Sequence, residues 1–284
     1  MRFIKNVKIL IVGLGLMGGS YAEALTDFGY EVGGLARRQE VIDYALNKGL
    51  IRHGRISADR EYIGQFDIIV FALYPHVFIQ WLEDYQEYIK SGALLTDVTG
   101  VKGSVVYKVQ QLLRKDLEFI AAHPMAGRET SGIESATKEI FRGANYIVTP
   151  TDKNTAEAIE SCKELGRVLG FKNIMELSPE EHDEMIGFLS QLTHCIAVSL
   201  MVCKDSRHLV SYTGDSFRDL TRIARINENM WSELFLLNKD ELLKQMDLFS
   251  EKFGELRNYI EKDDIEGMKE MMRLSTERRG YFNE

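Results

Sequence analysis

Residues 7–20 read VKILIVGLGLMGGS and join a short apolar run to a glycine-rich turn. The run predicts a buried strand, and the glycines that follow it have the spacing GxGxxG. In that pattern the missing side chains let a pyrophosphate approach backbone N–H groups at a helix N-terminus. A tight turn that only packs closely would contain similar glycines. We expect dinucleotide binding, at Gly13, Gly15, Leu16, Met17 and Gly18.

Short apolar runs alternate with amphipathic stretches from residue 7 to about residue 177. This alternation predicts an α/β fold of the Rossmann type, with a doubly wound, mostly parallel sheet and crossover helices on both faces. One such helix is expected over Thr155–Leu169, ended by Gly170. The predicted strands are Val7–Val12, Glu31–Leu35, Asp67–Leu73, Ala93–Val98, Leu117–Ala122, Tyr146–Val148 and Asn173–Leu177.

The pattern changes at Ser178-Pro179, which has the residue types of a helix N-cap and first helical position. Beyond it only long helical patterns occur, so we predict a dinucleotide-binding domain over residues 1–177 and an all-helical domain over residues 178–284. The segment Glu184–Val202 carries too many apolar residues for a helix with a free face. We expect it to be buried between helices, of this chain or of a second subunit.

Charge and composition narrow the class of protein. The formal net charge of −8 argues against a nucleic acid or an anionic membrane as partner, because either usually leaves a basic surface. No signal-peptide pattern and no uninterrupted apolar run of membrane-spanning length is present. Three cysteines without a CxxC pair are typical of a reducing compartment. We expect a cytoplasmic protein with a small-molecule ligand.

The end of the second predicted strand bears on the choice of cofactor. An NAD site usually has an acidic residue there for the ribose 2′-hydroxyl, whereas an NADP site has arginine. This chain has Ala36, followed by Arg37 and Arg38, which favours NADP. If both arginines were only solvated and Glu40 held the ribose, NAD would be the cofactor.

Other polar segments also follow predicted strands, where ligands bind in open α/β sheets. Leu73 begins one such segment and is expected to contact the cofactor. His76, three residues on, is expected in a surface loop. Asp97 is either a helix N-cap or a functional carboxylate, and Lys102 either contacts a ligand or lies on a solvated helix.

His123 follows the apolar run Leu117–Ala122, and we expect Pro124 to bend the chain there. A histidine titrates near neutrality, so it can accept the hydroxyl proton while a hydride leaves the same carbon. A buried structural histidine is the alternative interpretation.

The helical half contains a basic pattern after Gly214-Asp215-Ser216. Arg218, Arg222 and Arg225 have helical spacing, which predicts three guanidiniums near one face, either clamping carboxylates or simply solvated. His182 and His194 lack metal-type spacing with another ligand, so no metal site is predicted.

Five segments together resemble the prephenate/arogenate dehydrogenase family over nearly the whole chain. That family oxidatively decarboxylates prephenate to 4-hydroxyphenylpyruvate, or arogenate to tyrosine, and reduces NAD or NADP. The resemblance therefore implies a step of tyrosine biosynthesis and a homodimer formed through the C-terminal helices. The segments are VGLGLMGGS, DVTGVKG, HPMAGRETSG, SPEEHDEMIGFLSQLTH and FRDLTRIARINENMW.

The resemblance also implies roles for particular residues. His123 matches the catalytic histidine that holds the ring hydroxyl, and Arg222 matches an arginine that binds a substrate carboxylate. Glu129, His194 and Gly214 match positions that line the substrate pocket.

Two positions depart from the family pattern. Where many members have a serine bonded to substrate or histidine, this chain has Gly100, and we hypothesise that the hydroxyl of Thr99 substitutes. Where many have a second histidine, this chain has Gln191.

Other functions remain open at this point. Arg128 could favour prephenate over the zwitterionic side chain of arogenate, although it could equally face solvent. The rival classes are a β-hydroxyacid dehydrogenase, a pyrroline carboxylate reductase and a non-catalytic dinucleotide sensor.

Overall fold

The computed structural model describes residues 7–128, 130–205 and 207–282. Within them an α/β half precedes an all-helical half. The strands are β1 (Lys8–Val12), β2 (Glu31–Leu35), β3 (His53–Arg55), β4 (Ile68–Phe71), β5 (Leu94–Asp97), β6 (Glu118–Phe119), β7 (Ala121–Met125), β8 (Asn145–Thr149) and β9 (Asn173–Glu176). The α-helices are α1 (Leu16–Phe28), α2 (Gln39–Asn47), α3 (Arg60–Ile63), α4 (Pro75–Tyr85), α5 (Gly103–Leu112), α6 (Ala156–Leu169), α7 (Pro179–Ile186), α8 (Thr193–Val202), α9 (Asp215–Thr221), α10 (Glu228–Leu237), α11 (Lys239–Glu261) and α12 (Ile265–Gly280).

The larger sheet has the order β3-β2-β1-β4-β5-β6 in the described part of the chain, and its neighbouring strands are parallel. Alternate residues of β1 enter two separate cores, Ile9 and Ile11 on one face and Leu10 on the other. Both faces are therefore covered by helices, as the apolar runs predict. The Rossmann-type fold class is confirmed.

A second sheet, β7-β8-β9, receives the strand that carries His123. The predicted single strand Leu117–Ala122 is wrong in detail, because the chain leaves the first sheet after β6 and continues as β7 through Pro124 to Met125. Pro124 does not bend the chain away. It is tolerated because β7 is an edge strand of its sheet, where a missing N–H costs no ladder bond.

Helices α6 and α7 lie where the sequence predicts them, although Thr155 caps α6 instead of forming its first residue. The side chain of Thr155 accepts from Ala158 N, and α6 ends at Gly170 with a φ of 89°. Ser178 and Glu181 form a reciprocal capping box at the start of α7, with Pro179 in its first turn. Strand β3 was not predicted, because His53-Gly54-Arg55 has no apolar pattern.

The helical half begins with one continuous helical run, in which a π-helical segment, Gly187–Leu192, joins α7 to α8. A single chain leaves much of this run uncovered, since Phe188 is 55% exposed and Val202 77% exposed, so burial by a second subunit stays a prediction. Exposed apolar side chains also lie on α11 and α12, among them Phe253 and Met272. These helices present apolar surface that a single chain leaves uncovered.

The same run, Pro179–Val202, is the one helix in residues 7–128, 130–205 and 207–282 that is long and apolar enough to cross a membrane, with a mean hydropathy of 1.7. Polar residues interrupt it, including Gln191 and His194. A helix that is covered by other helices passes the same test of length and composition.

Candidate active site

The glycine loop lies between β1 and α1, at the carboxyl edge of the parallel sheet. Gly13 has a φ of 98°, and a Cβ there would lie 2.4 Å from the carbonyl oxygen of Ala72. A Cβ at Gly18 would lie 1.8 Å from the carbonyl oxygen of Gly13. Both positions therefore require glycine to hold the strand, turn and helix this close together.

Gly15 is different, because nothing lies within 4 Å of the position that its Cβ would occupy. It is the N-cap of α1 and makes no side-chain cap hydrogen bond. The first N–H groups of a helix have no acceptor within that helix, so α1 offers donors to an anion at an open surface. Leu16 and Met17 lie half-buried beside this opening, and Leu73 packs against Gly13. The loop fits a dinucleotide pyrophosphate.

Arg37 and Arg38 lie exposed directly after β2, with Ala36 half-buried before them. Arg38 is the N-cap of α2, and its Nη1 lies 3.2 Å from the Glu40 carboxylate. Glu40, the first acidic residue after β2, is thus paired with an arginine at the surface.

A fully buried ion pair joins the end of β5 to the start of α5. Lys102 Nζ donates to Asp97 Oδ2 at 2.8 Å and to the Ala122 carbonyl at 2.7 Å. Asp97 Oδ1 accepts from Ala122 N at 3.1 Å. Burial lowers the pKa of Lys102, while Asp97 acts in the opposite direction. The pair fixes the backbone immediately before His123.

The predictions for these residues need correction. Lys102 is neither a ligand contact nor on a solvated face, and the N-cap of α5 is Lys102 rather than Asp97. The hydroxyl of Thr99 donates to Asp97 and accepts from Lys102 Nζ at 3.2 Å. Thr99 is 4% exposed, so its hydroxyl serves the buried ion pair and does not face an open pocket.

His123 lies half-buried in β7, with its two ring nitrogens in different surroundings. Nδ1 lies 2.9 Å from His182 Nε2. Nε2 lies beside Gly100, where an added Cβ would be 3.8 Å from it, and has no hydrogen-bond partner among the described residues. Burial holds the pKa of His123 well below its ordinary 6.5, and His182 and Lys102 lower it further. His123 therefore presents a neutral imidazole nitrogen beside Gly100, in the segment that follows β5 at the carboxyl edge of the larger sheet.

Helix α10, in the helical half, packs against this edge of the sheet. Leu234 would contact a Cβ at Gly100 at 3.6 Å, and Glu233 accepts from the backbone N of His76 at 2.8 Å. The ring of His194 packs on that of Trp231, with 3.8 Å between centroids. The site thus lies between the two halves of the chain.

The predicted pocket residues of the helical half are only partly brought together. Arg222 begins a short 3-10 segment that packs against α8, the helix of His194. Gly214 is the exposed N-cap of α9. The predicted arginine face is wrong, because α9 ends at Thr221 and helical spacing does not continue to Arg225.

Three further positions complete the comparison with the sequence. Glu129 lies outside the described residues, and its neighbour Arg128 is exposed. Gln191 is buried and donates to the Leu234 carbonyl at 3.0 Å, so it joins α10 to the π-helical segment.

Sequence reasoning missed His182 and Asp183 as site residues. The spacing of His182 was informative only about metal ligation, and spacing does not reveal a hydrogen bond between distant residues. The described residues contain no cluster of three potential metal ligands. The position of His182 within the family-like segment SPEEHDEMIGF was the available signal.

A glycine loop shaped for a pyrophosphate and a neutral imidazole at the same sheet edge define a dinucleotide-dependent dehydrogenase. Residues 22–175 match the family model of the prephenate dehydrogenase nucleotide-binding domain, and residues 178–274 match that of its dimerization domain. The chain belongs to the prephenate dehydrogenase family.

Individual relatives agree with this assignment. The chain is 32% identical to a prephenate dehydrogenase of Bacillus subtilis, covering 92% of this chain and 72% of the relative. It is 31% identical to that of Lactococcus lactis, covering 92% and 73%. A crystal structure of the Aquifex aeolicus prephenate dehydrogenase with hydroxyphenyl propionate and NAD+ superposes with a TM-score of 0.88 at 28% identity, covering 99% of this chain and all of that one.

Proposed function

We propose that this protein oxidises and decarboxylates prephenate to 4-hydroxyphenylpyruvate, with reduction of NAD(P), in tyrosine biosynthesis. The observation that carries the proposal is the neutral Nε2 of His123, beside Gly100 and beneath α10. The names of the relatives favour prephenate over arogenate.

The reaction requires little covalent chemistry from the side chains of the protein. The bound nicotinamide supplies a hydride acceptor. His123 Nε2 takes the proton of the ring hydroxyl as the hydride leaves the same carbon, and the ring carboxylate departs as CO2 while the ring becomes aromatic. The same imidazole can return its proton to the phenolate oxygen, so no proton is released overall. Positioning and proton transfer are the contributions of the chain.

Arg222 is proposed to bind a substrate carboxylate, with His194 and Gly214 lining the same pocket. Arg222→Ala should raise the KM for prephenate by about tenfold or more with a smaller change in kcat, since a hydrogen bond to a charged group is worth about 1.5–3 kcal/mol. Arg218→Ala, an exposed arginine on α9, is the matched control. Steady-state kinetics in which both variants behave alike would remove Arg222 from the pocket.

The finer proposal for the cofactor is NADP, with Arg37 and Arg38 on the 2′-phosphate. Replacing both by serine should raise the KM for NADP by about tenfold or more and change that for NAD little, because only NADP carries the phosphate. Arg142→Ser, at an exposed arginine, is the control. If the selectivity between the two cofactors is unchanged, the alternative is favoured, in which the cofactor is NAD and Glu40 binds its ribose.

The remaining proposals concern organisation. We place the domain boundary between residues 177 and 178, next to the capping box of α7. Two copies should pair through the C-terminal helices, whose apolar side chains are exposed in one chain. A cytoplasmic location and the absence of a membrane or nucleic-acid partner remain proposals, supported by the composition.

A further inference from the structure

A chain of three side chains runs from the helical half to the imidazole of His123. Asp183 Oδ1 lies 2.8 Å from His182 Nδ1, and His182 Nε2 lies 2.9 Å from His123 Nδ1. His182 is fully buried and Asp183 is nearly so. Both lie on α7, whereas His123 lies on β7. This series of hydrogen bonds therefore joins the two halves of the protein.

The hydrogen positions follow from the donors around Asp183. Its Oδ1 accepts from Lys102 N and its Oδ2 from Gly103 N, both at 2.8 Å. The oxygens of an aspartate carboxylate are hydrogen-bond acceptors, and both already accept backbone N–H groups here. His182 must therefore carry a hydrogen on Nδ1, facing Asp183.

The protonation state of His182 decides what happens at its other nitrogen. Burial lowers the pKa of His182 below its ordinary 6.5, so the ring is neutral near neutral pH and its Nε2 is an acceptor. His123 Nδ1 must then carry the hydrogen of the bond between the rings. The Nε2 of His123 is left with a lone pair.

The charged groups that face the two rings come from three elements. Asp183 belongs to α7, Asp97 is the last residue of β5, and Lys102 is the N-cap of α5. The buried charge of Lys102 disfavours a second positive charge on either ring. Both imidazoles are therefore kept neutral together.

We propose that His182, oriented by Asp183, is a positioning residue that holds His123 in the tautomer whose free Nε2 can accept the substrate proton. This inference rests on the proposed function, because it assigns His123 the role of base. With the opposite tautomer His123 would present an N–H to the hydroxyl and could not take its proton. In serine proteases a buried carboxylate sets the tautomer of the catalytic histidine in this way, and removing it costs about 10⁴-fold in kcat.

The first test reads the tautomer directly. In wild-type protein labelled with ¹⁵N-histidine, the signals of His123 are identified by their loss in His123→Asn. We expect Nδ1 to be protonated and Nε2 unprotonated near neutral pH, and His182→Phe to abolish that preference. A wild-type His123 protonated on Nε2 would overturn the proposal, even if the variant fails to fold.

The second test is kinetic. His182→Phe should lower kcat for prephenate on the order of 10²-fold with little change in KM, because it acts through the tautomer of the base. His182→Gln keeps an acceptor oxygen and should recover part of this loss. His53→Gln is the matched control and should retain wild-type rates. His53 lies on β3 and makes hydrogen bonds to the side chains of Tyr62 and Glu31.

Different results would reject the positioning role of His182 and the proposed oxidation of prephenate. If wild-type protein turns over prephenate and His182→Phe retains kcat within about threefold, the positioning role is wrong, since setting a tautomer is worth far more. If the wild-type tautomer is as expected but prephenate is not oxidised, the proposed function is wrong and the hydrogen-bonded chain remains.

Discussion

His123→Asn is expected to lower kcat for prephenate by about 10²–10⁴-fold, the usual contribution of a general base. Asparagine can still hydrogen-bond to a hydroxyl, but it cannot accept its proton at neutral pH. KM should change little, because the carboxylate contacts of the substrate remain. Steady-state kinetics with prephenate and saturating cofactor measure both parameters.

The control for this variant separates chemistry from folding. His208→Asn changes an exposed histidine in the 3-10 segment Arg207–Tyr212 and should leave kcat at the wild-type value. The melting temperature and cofactor affinity of His123→Asn should stay close to those of the wild type. A His123→Asn enzyme with near wild-type kcat would remove His123 from the reaction.

Lys102→Met is expected to lower the free energy of unfolding by about 3–5 kcal/mol, because it leaves the Asp97 carboxylate buried without its cation. The loss should also reduce activity, since Lys102 holds the Ala122 carbonyl next to His123. Urea denaturation followed by circular dichroism measures the stability difference.

A second substitution checks the cause. The double variant Lys102→Met with Asp97→Asn has no unpaired buried charge and should be more stable than Lys102→Met alone. Lys138→Met breaks an exposed pair with Asp27 and should stay near wild-type stability. Equal losses for the single and double variants would mean that the ion pair is not what stabilises this part of the site.

The sequence predicted those features that depend on local pattern. The parallel sheet, the glycine loop, the N-cap Ser178 and the helix end at Gly170 all follow from periodicity and residue type. These signals are contained in a few consecutive residues, so no knowledge of tertiary contacts is needed.

Other features depend on contacts between distant residues. Lys102 is buried because Asp97 and the Ala122 carbonyl lie within hydrogen-bond distance, and Ala122 is 20 residues away in sequence. The bond between His182 and His123 joins residues 59 apart, on different halves of the chain. The helix expected through Arg225 ends at Thr221, a break that the spacing of the arginines did not reveal.

The pH dependence of kcat/KM for prephenate tests the role of His123 most directly, because it reports the pKa of the free enzyme's base. Burial lowers the pKa of His123, so the ring stays unprotonated as the pH falls. We expect an acid limb with an apparent pKa below 6.5 that is absent in His123→Asn. A limb at or above 6.5, or one that persists in His123→Asn, would show that His123 is not the base.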